Sequence, residues 1–332
     1  MSRQQPSAAP VLVLGGHGFL GRHACAALAA AGDEVIAVSR RPARLPAARS
    51  IALDLAASDQ ATISGMLTAM RPRVVVNAAG AVWGVSDEEL TASNVTLVRR
   101  LVAALGELPW RPRLVHLGSV HEYGPVPAGT LIREQDPPRP VSPYGRTKLL
   151  GTEAVLAAVR SGAVDATVLR VVNVSGPGTP AKSLLGQVAR QLRAHRHRWE
   201  PAVLRLAPLR AHRDFVDVRD IADAVCAAAA ATDPAAVTNI GRGEAVSVRW
   251  LVDQLIAASG VPARIVEHGV PAERSDRGSG IDWQQVDITE ARCRLRWAPR
   301  RGLTESLTAL WAEVRAASSA EVGPVLERPP AP

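Results

Sequence analysis

The sequence predicts an α/β chain built on a doubly wound parallel sheet, with a smaller, mostly C-terminal second domain. Three observations predict it. Short unbroken runs of Val, Leu and Ile, such as "VLVL" at 11–14 and "RVVVNAAG" at 73–80, recur along the first half, and strands buried on both faces read as such runs. Segments of helical period separate them, the alternation expected when helices cover both faces of a sheet. A glycine turn, "GGHGFLG" at 15–21, joins the first run directly to the first helical segment.

Taken in order, the run at 11–14 is a buried strand, and "RHACAALAAAG" is a helix that Gly32 stops. "EVIAVSR" is a second strand, followed by a proline-punctuated loop, a third strand ending near Asp54 and an amphipathic helix near 60–70. A strand from 73, a helix from about 87 to 105 and the strand "RLVHLGS" at 113–119 come next. Ser142 and Pro143 signal a helix start, and "ATVLRVVNV" at 166–174 is another buried strand. After Asn173 the segments become shorter and more basic, although "DFVDV" at 214–218, "RDIADAVCAAAAA" and "AVTNIG" again read as strand, helix and strand.

In the glycine turn, Gly15, Gly18 and Gly21 are spaced three apart between a strand and a helix. The first permits a tight turn, the second lets a pyrophosphate approach the backbone, and the third lets helix and strand pack closely. The helix N-terminus, at Phe19 and Leu20, adds oriented N–H groups for the anion. This is the signature of a Rossmann dinucleotide site. The second strand ends Ser39-Arg40-Arg41 with no carboxylate, and a hydroxyl with two guanidiniums suits a 2′-phosphate, so NADP(H) is expected over NAD(H). Asp54 is placed to accept from the adenine amino group, or to cap the helix that follows. The expected division is a Rossmann domain over 10–173 plus 214–240 and a substrate domain over 174–213 plus 241–316. A disordered leader (1–9) and tail (317–332) flank them.

Composition narrows the classes. No apolar run approaches the ~18 residues of a membrane span, and "MSRQQPSAAP" has no secretory h-region. Cys25, Cys226 and Cys293 are odd in number and lack CxxC spacing, which fits a reducing cytoplasm and argues against disulfides and a structural metal. The net charge of +8 comes almost wholly from arginine, only Lys148 and Lys182 being lysines. That is the mark of a compositional bias more than of a nucleic-acid surface, and the dense stretch at 190–210 reads first as a solvated face.

Tyr144 and Lys148 stand four apart, on one face of the helix that begins at Ser142. Ser119 ends the strand at 113–119, where open α/β sheets place their ligands. Together they form a reductase centre: a phenol that moves a proton, a cation that lowers its pKa, and a hydroxyl that hydrogen-bonds the carbonyl or alkoxide.

With these residues in place, the chain resembles the extended short-chain dehydrogenase/reductase superfamily, in its NAD(P)-dependent epimerase/dehydratase branch. The resemblance runs in order through "VLGGHGFLG", "DL" at 54, "NAAG" at 77, "SNV" at 93, "GSVHEYG" at 118, "PYGRTK" at 143 and "LRVVNVSGPG" at 169. It continues through "RDFVDVRDIADAV" at 213, "NIGRGEAVSV" at 239 and "DITEARCRLRWAPR" at 287. It implies catalytic Ser119, Tyr144 and Lys148. At the cofactor it implies the glycine turn with Phe19 and Leu20, then Ser39, Arg40, Arg41, Asp54, Leu55, Ala78, Ala79, Gly80, Asn94, Tyr144 and Lys148. Asn94 stands where the family steadies the active-site backbone. Asn173, Arg213 and Arg277 (with Arg274 as the alternative) match diphosphate contacts, and Trp83, Ser119 and His121 line the sugar pocket. No metal is implied. Relatives dimerise through the helix after Asn94 and the Tyr-Lys helix, so a homodimer is expected, although the stripe of Leu149, Leu150, Ala154, Val155 and Ala158 serves a core equally well.

Departures from the pattern narrow the reaction. A dehydratase would carry an acid just after Ser119, where this chain has Val120 and His121. Glu122 comes one step later and, on a strand-like segment, faces the other way. Leu14 replaces a common threonine, and "VSG" a common "VYG", which marks a divergent subgroup. The expectation is an NADPH-dependent ketoreductase of a nucleotide-linked 4-keto-deoxysugar. The alternatives are a nucleotide-sugar epimerase, a reductase of a non-sugar ketone, and a non-catalytic dinucleotide sensor or RNA-associated protein on the same fold.

Overall fold

The computed structural model describes residues 9–41, 44–46, 48–82, 84–268 and 281–320. Trp83, Arg274 and Arg277 lie outside the described residues. Strand and helix alternate as β1 (Val11–Leu14), α1 (Phe19–Ala30), β2 (Val35–Ser39), β3 (Arg49–Ala52), α2 (Gln60–Met70), β4 (Val74–Asn77), α3 (Asp87–Thr91), α4 (Leu97–Gly106), β5 (Arg113–Ser119), α5 (Pro143–Arg160) and β6 (Asp165–Val171). The rest of the chain forms β7 (Asn173–Ser175), α6 (Leu184–His195), β8 (Ala202–Leu206), β9 (His212–Asp217), α7 (Val218–Ala230) and β10 (Val237–Ile240). After these come β11 (Ala245–Ser247), α8 (Val248–Ser259), β12 (Ala263–Glu267), β13 (Trp283–Gln284), α9 (Thr289–Arg294) and α10 (Leu303–Ala320).

Seven strands pair in parallel in the order β10-β6-β5-β4-β1-β2-β3. Strand order reverses between β1 and β4, the place where a doubly wound sheet opens a crevice at its carboxyl edge. The unbroken "VLVL" run is explained by burial on both sides. Val11 and Val13 join the core under α1 and α7, whereas Leu12 and Leu14 join the one under α2, α4 and α5. A third core, with Leu192, Leu204, Leu251, Leu255 and Leu307, lies between α6, α8, α10 and the parallel pair β8–β12.

Four local expectations are corrected. The strand at 212–217 does not return to the large sheet; β9 pairs with β7, β11 and β13 in a second sheet. It has two loyalties, Val216 packing under the large sheet and Phe215 in the third core. The helix at 87–105 is interrupted by a π-helical turn at Ala92–Thr96, which carries Asn94. The third strand ends at Ala52, before Asp54. Residues Val120–Glu122 form a 3₁₀ turn instead of continuing the strand, because Ser119 and Glu122 make a reciprocal capping box.

The basic stretch at 190–210 forms the end of α6 and β8. Its apolar residues Leu192 and Leu204 are buried, while Arg190, Arg196 and Arg198 are exposed. No described helix is long and apolar enough to cross a membrane.

Candidate active site

The glycine turn docks β1 against the neighbouring strand ends. Gly15 has φ +74°, and a Cβ there would stand 2.8 Å from Ala78 O and Ala79 N. Gly21, in the first turn of α1, leaves room for a backbone: a Cβ would meet Gly15 O at 2.1 Å. Gly16 was not singled out from the sequence, yet a Cβ on it would lie 2.6 Å from Ala37 Cβ. The adjacent glycine doublet was the available signal. Gly18 is the N-cap of α1 and has no side-chain cap, and the first turn carries no acidic residue. The N–H groups of that turn are thus left for an anion. A cradle that side chains would fill, ending on an uncapped helix, fits a dinucleotide pyrophosphate.

At the end of β2, Ser39 Oγ donates to Arg41 O at 2.9 Å and pairs with His17 Nδ1 at 2.7 Å. Since the hydroxyl has one proton, the Nδ1–H of His17 is the donor in that second bond. His17 Nε2 in turn lies 3.2 Å from Ser50 Oγ. This histidine, inside the glycine turn, ties the end of β2 to β3, and sequence reasoning passed over it. Arg40 and Arg41 are exposed there. Asp54 Oδ1 accepts from the N–H groups of Ala56 and Ala57, closing its own turn. The Leu55 side chain is buried in the core beside α2.

Asn94 is almost wholly buried. Its Oδ1 accepts from Ala81 N, and its Nδ2 donates to Ala81 O and Thr147 Oγ1, each at 3.1 Å. A Cβ on Gly80 would approach Asn94 Oδ1 to 2.9 Å. The π turn therefore fastens the loop after β4 to α5, one residue from Lys148.

Ser142 caps α5 by accepting from Gly145 N, and Pro143 occupies its first turn. A Cβ on Gly145 would stand 2.5 Å from His121 O, so α5 begins pressed against the 3₁₀ turn. Lys148 is buried and donates from Nζ to Leu117 O at 2.5 Å, which draws it to the strand that carries Ser119. Burial lowers its pKa, and the Glu122 carboxylate opposes that shift. His116, on the same strand, is held well below the usual imidazole range by burial and by Lys148. Ser119 Oγ accepts from His121 N, which leaves its hydroxyl hydrogen for another acceptor. The His121 ring meets Tyr144 edge-on, with centroids 5.7 Å apart. Ser119, His121, Tyr144 and Lys148 are thus linked through the carboxyl end of β5, the 3₁₀ turn and the start of α5.

A second group forms where β9 lies between its neighbours. Asn173 Nδ2 donates to Asp214 O at 3.1 Å and Gln284 Oε1 at 3.0 Å. Arg213, opposite Gln284 in register, donates from Nη2 to Ile281 O at 3.3 Å. Its Nε is buried with no hydrogen-bond partner among the described residues, and burial lowers its pKa. Unspent cationic donors beside an amide suit an anionic group. Gln284, wholly buried with Nε2 unpartnered among the described residues, belongs to this group and carried no sequence signal.

The pattern of the NAD dependent epimerase/dehydratase family matches residues 11–241. The chain belongs to that family. It is an NAD(P)-dependent oxidoreductase of the short-chain dehydrogenase/reductase type. A dTDP-6-deoxy-L-talose 4-dehydrogenase (NAD(P)(+)) of Kitasatospora kifunensis is 47% identical to it over 312 residues, 94% of this chain and 97% of that one. A GDP-6-deoxy-D-mannose reductase of Pseudomonas aeruginosa is 26% identical, over 90% of this chain and 95% of its own. Among solved structures, MoeE5 in complex with UDP-glucuronic acid and NAD superposes with a TM-score of 0.79 at 29% identity, over 93% of this chain and 99% of that one.

Proposed function

We propose that this member of the epimerase/dehydratase family is an NADPH-dependent ketoreductase acting at C4 of a dTDP-linked 4-keto-6-deoxyhexose. The carrying observation is the end-to-end similarity to an enzyme named for oxidation of dTDP-6-deoxy-L-talose at C4, whose reverse is reduction of that ketone. The bound reduced dinucleotide supplies the hydride. Ser119 donates its free hydroxyl hydrogen to the sugar O4, and Tyr144 transfers its phenolic proton there as the carbonyl carbon is reduced. Lys148 stabilises the resulting phenolate until a proton returns to it from solvent.

Arg213 and Asn173 bind the sugar diphosphate, the arginine through its guanidinium charge. The carboxylate-free end Ser39-Arg40-Arg41 supports NADPH over NADH. The large sheet with its helices forms the cofactor domain, and the third core with its two small sheets the substrate domain. Leu150, 42% exposed on α5, supports a homodimer through α4 and α5. The free thiols support a cytoplasmic location.

The test follows nicotinamide absorbance with the purified protein and NADPH or NADH. The substrates are dTDP-4-keto-6-deoxyglucose and the ketone made by oxidising dTDP-6-deoxy-L-talose at C4. Net consumption that a Tyr144→Phe variant loses supports the proposal. A sugar changed in configuration with no net consumption would make the enzyme an epimerase, a reading favoured by the UDP-arabinose and UDP-glucose 4-epimerases that match at 26% and 27% identity.

A further inference from the structure

Glu122 is fully buried, yet its carboxylate is saturated with donors from three separate elements. Oε1 accepts from Ser119 N at 2.8 Å and from Thr152 Oγ1 at 3.0 Å, and Oε2 accepts from Arg170 Nε at 2.8 Å. Gly118 admits it, since a Cβ there would lie 2.8 Å from Glu122 Oε1. Arg170, equally buried, covers the Tyr123 ring at 4.5 Å, and Tyr123 OH donates to Asn239. A buried ion pair is a poor way to gain stability alone, because well-packed apolar residues do as well. This one is attached where the reaction is carried: to the backbone of Ser119, and through Thr152 to the helical turn following Lys148.

We infer that Glu122 is a positioning residue of the active centre, holding Ser119 and the Lys148 turn of α5 in register while its charge counters the lysine beside Tyr144. The inference rests on the proposed proton transfer by Tyr144, not on the identity of the sugar. Among the described residues, the His121 ring faces Tyr144, and Lys148 stands one helical turn further along α5; Arg170 and Lys148 face Glu122; His116 faces Lys148; Glu134 acts on Tyr123. His116 is held well below the usual imidazole range and adds no charge near neutral pH, so Glu122 stands against Lys148 and Arg170. Removing the carboxylate leaves the cations uncompensated and makes Tyr144 a stronger acid.

The chain offers a direct probe, because it has two tyrosines, Tyr123 and Tyr144. Burial pushes the Tyr123 phenol up to about 12, and the phenolate transition that Tyr144→Phe removes from a near-ultraviolet pH titration is the one belonging to Tyr144. Glu122→Gln is expected to move that transition down by about half a pH unit or more, and the alkaline limb of kcat/KM with it. In Glu122→Gln/Arg170→Met both charges are gone and the transition returns towards the wild-type position. Thr152→Val keeps the charge but cuts the tether, lowering kcat several-fold with the transition unmoved. Arg170→Met is the mirror test, with an upward shift, should Glu122→Gln not fold. A Tyr144 transition indifferent to both single changes overturns the inference. Because the titration needs no substrate, a shift without turnover of any keto-sugar sinks the functional proposal alone. Turnover with an unshifted phenol sinks only this inference.

Discussion

Gly21→Ala tests the cofactor cradle directly. The added methyl would stand 2.1 Å from Gly15 O, 2.8 Å from Gly15 C and 2.9 Å from Gly16 Cα. All three are backbone atoms, so no rotamer relieves the contact and α1 must back away from the turn by about 1 Å. Overpacking of this kind costs roughly 1–3 kcal/mol, and the better helix propensity of alanine returns about 1 kcal/mol. Net destabilisation is therefore modest, and the melting temperature falls by a few degrees at most. Affinity suffers more. The N–H groups of the first turn of α1 move with the helix, and each charge-assisted bond lost to the pyrophosphate is worth about 1.5–3 kcal/mol. The dinucleotide Kd should rise about 10- to 100-fold by calorimetric titration. Gly65→Ala is the control, being helical with nothing within 4 Å of its Cβ; it should stabilise by up to about 1 kcal/mol and leave Kd alone. Wild-type cofactor affinity in Gly21→Ala would refute the cradle.

Three further predictions are independent of that one. Arg213→Met should raise KM for the nucleotide sugar about 10- to 100-fold, with kcat and cofactor Kd little changed, in steady-state kinetics. Burial raises the Asp214 carboxyl to about 7, against its N–H bonds from Arg242 and Gly243. The folded state therefore holds a proton that the unfolded state releases near pH 4. This contribution is complete below about pH 4 and is lost as pH rises to about 7, by on the order of 4 kcal/mol, which denaturant melts at acid and neutral pH would read. Burial pushes the Cys25 and Cys226 thiols up to about 12 and about 11, whereas Cys293 is exposed. Native protein should thus react quickly with a thiol reagent at Cys293, and at all three only when unfolded.

Much of the proposed active centre was legible because it is local. Tyr144 and Lys148 share a helix face by spacing alone, Ser142 and Pro143 mark the helix start, and Gly15 and Gly21 announce the turn that both make. Even Glu122 left a trace, since Ser-x-x-Glu is the capping-box pattern; reading the segment as strand hid it.

By itself, the sequence determined the doubly wound parallel sheet, the glycine turn and the helix that Tyr144 and Lys148 share. These rest on hydrophobic period and on hydrogen bonds between near neighbours, and both are written in the chain within a few residues. Tertiary structure alone decided that Glu122 meets Arg170, 48 residues away, that Asn173 meets Gln284, 111 residues away, and that β9 leaves the large sheet. A buried polar side chain must find its partner wherever the fold brings one, and sequence distance carries no information about which segment that will be.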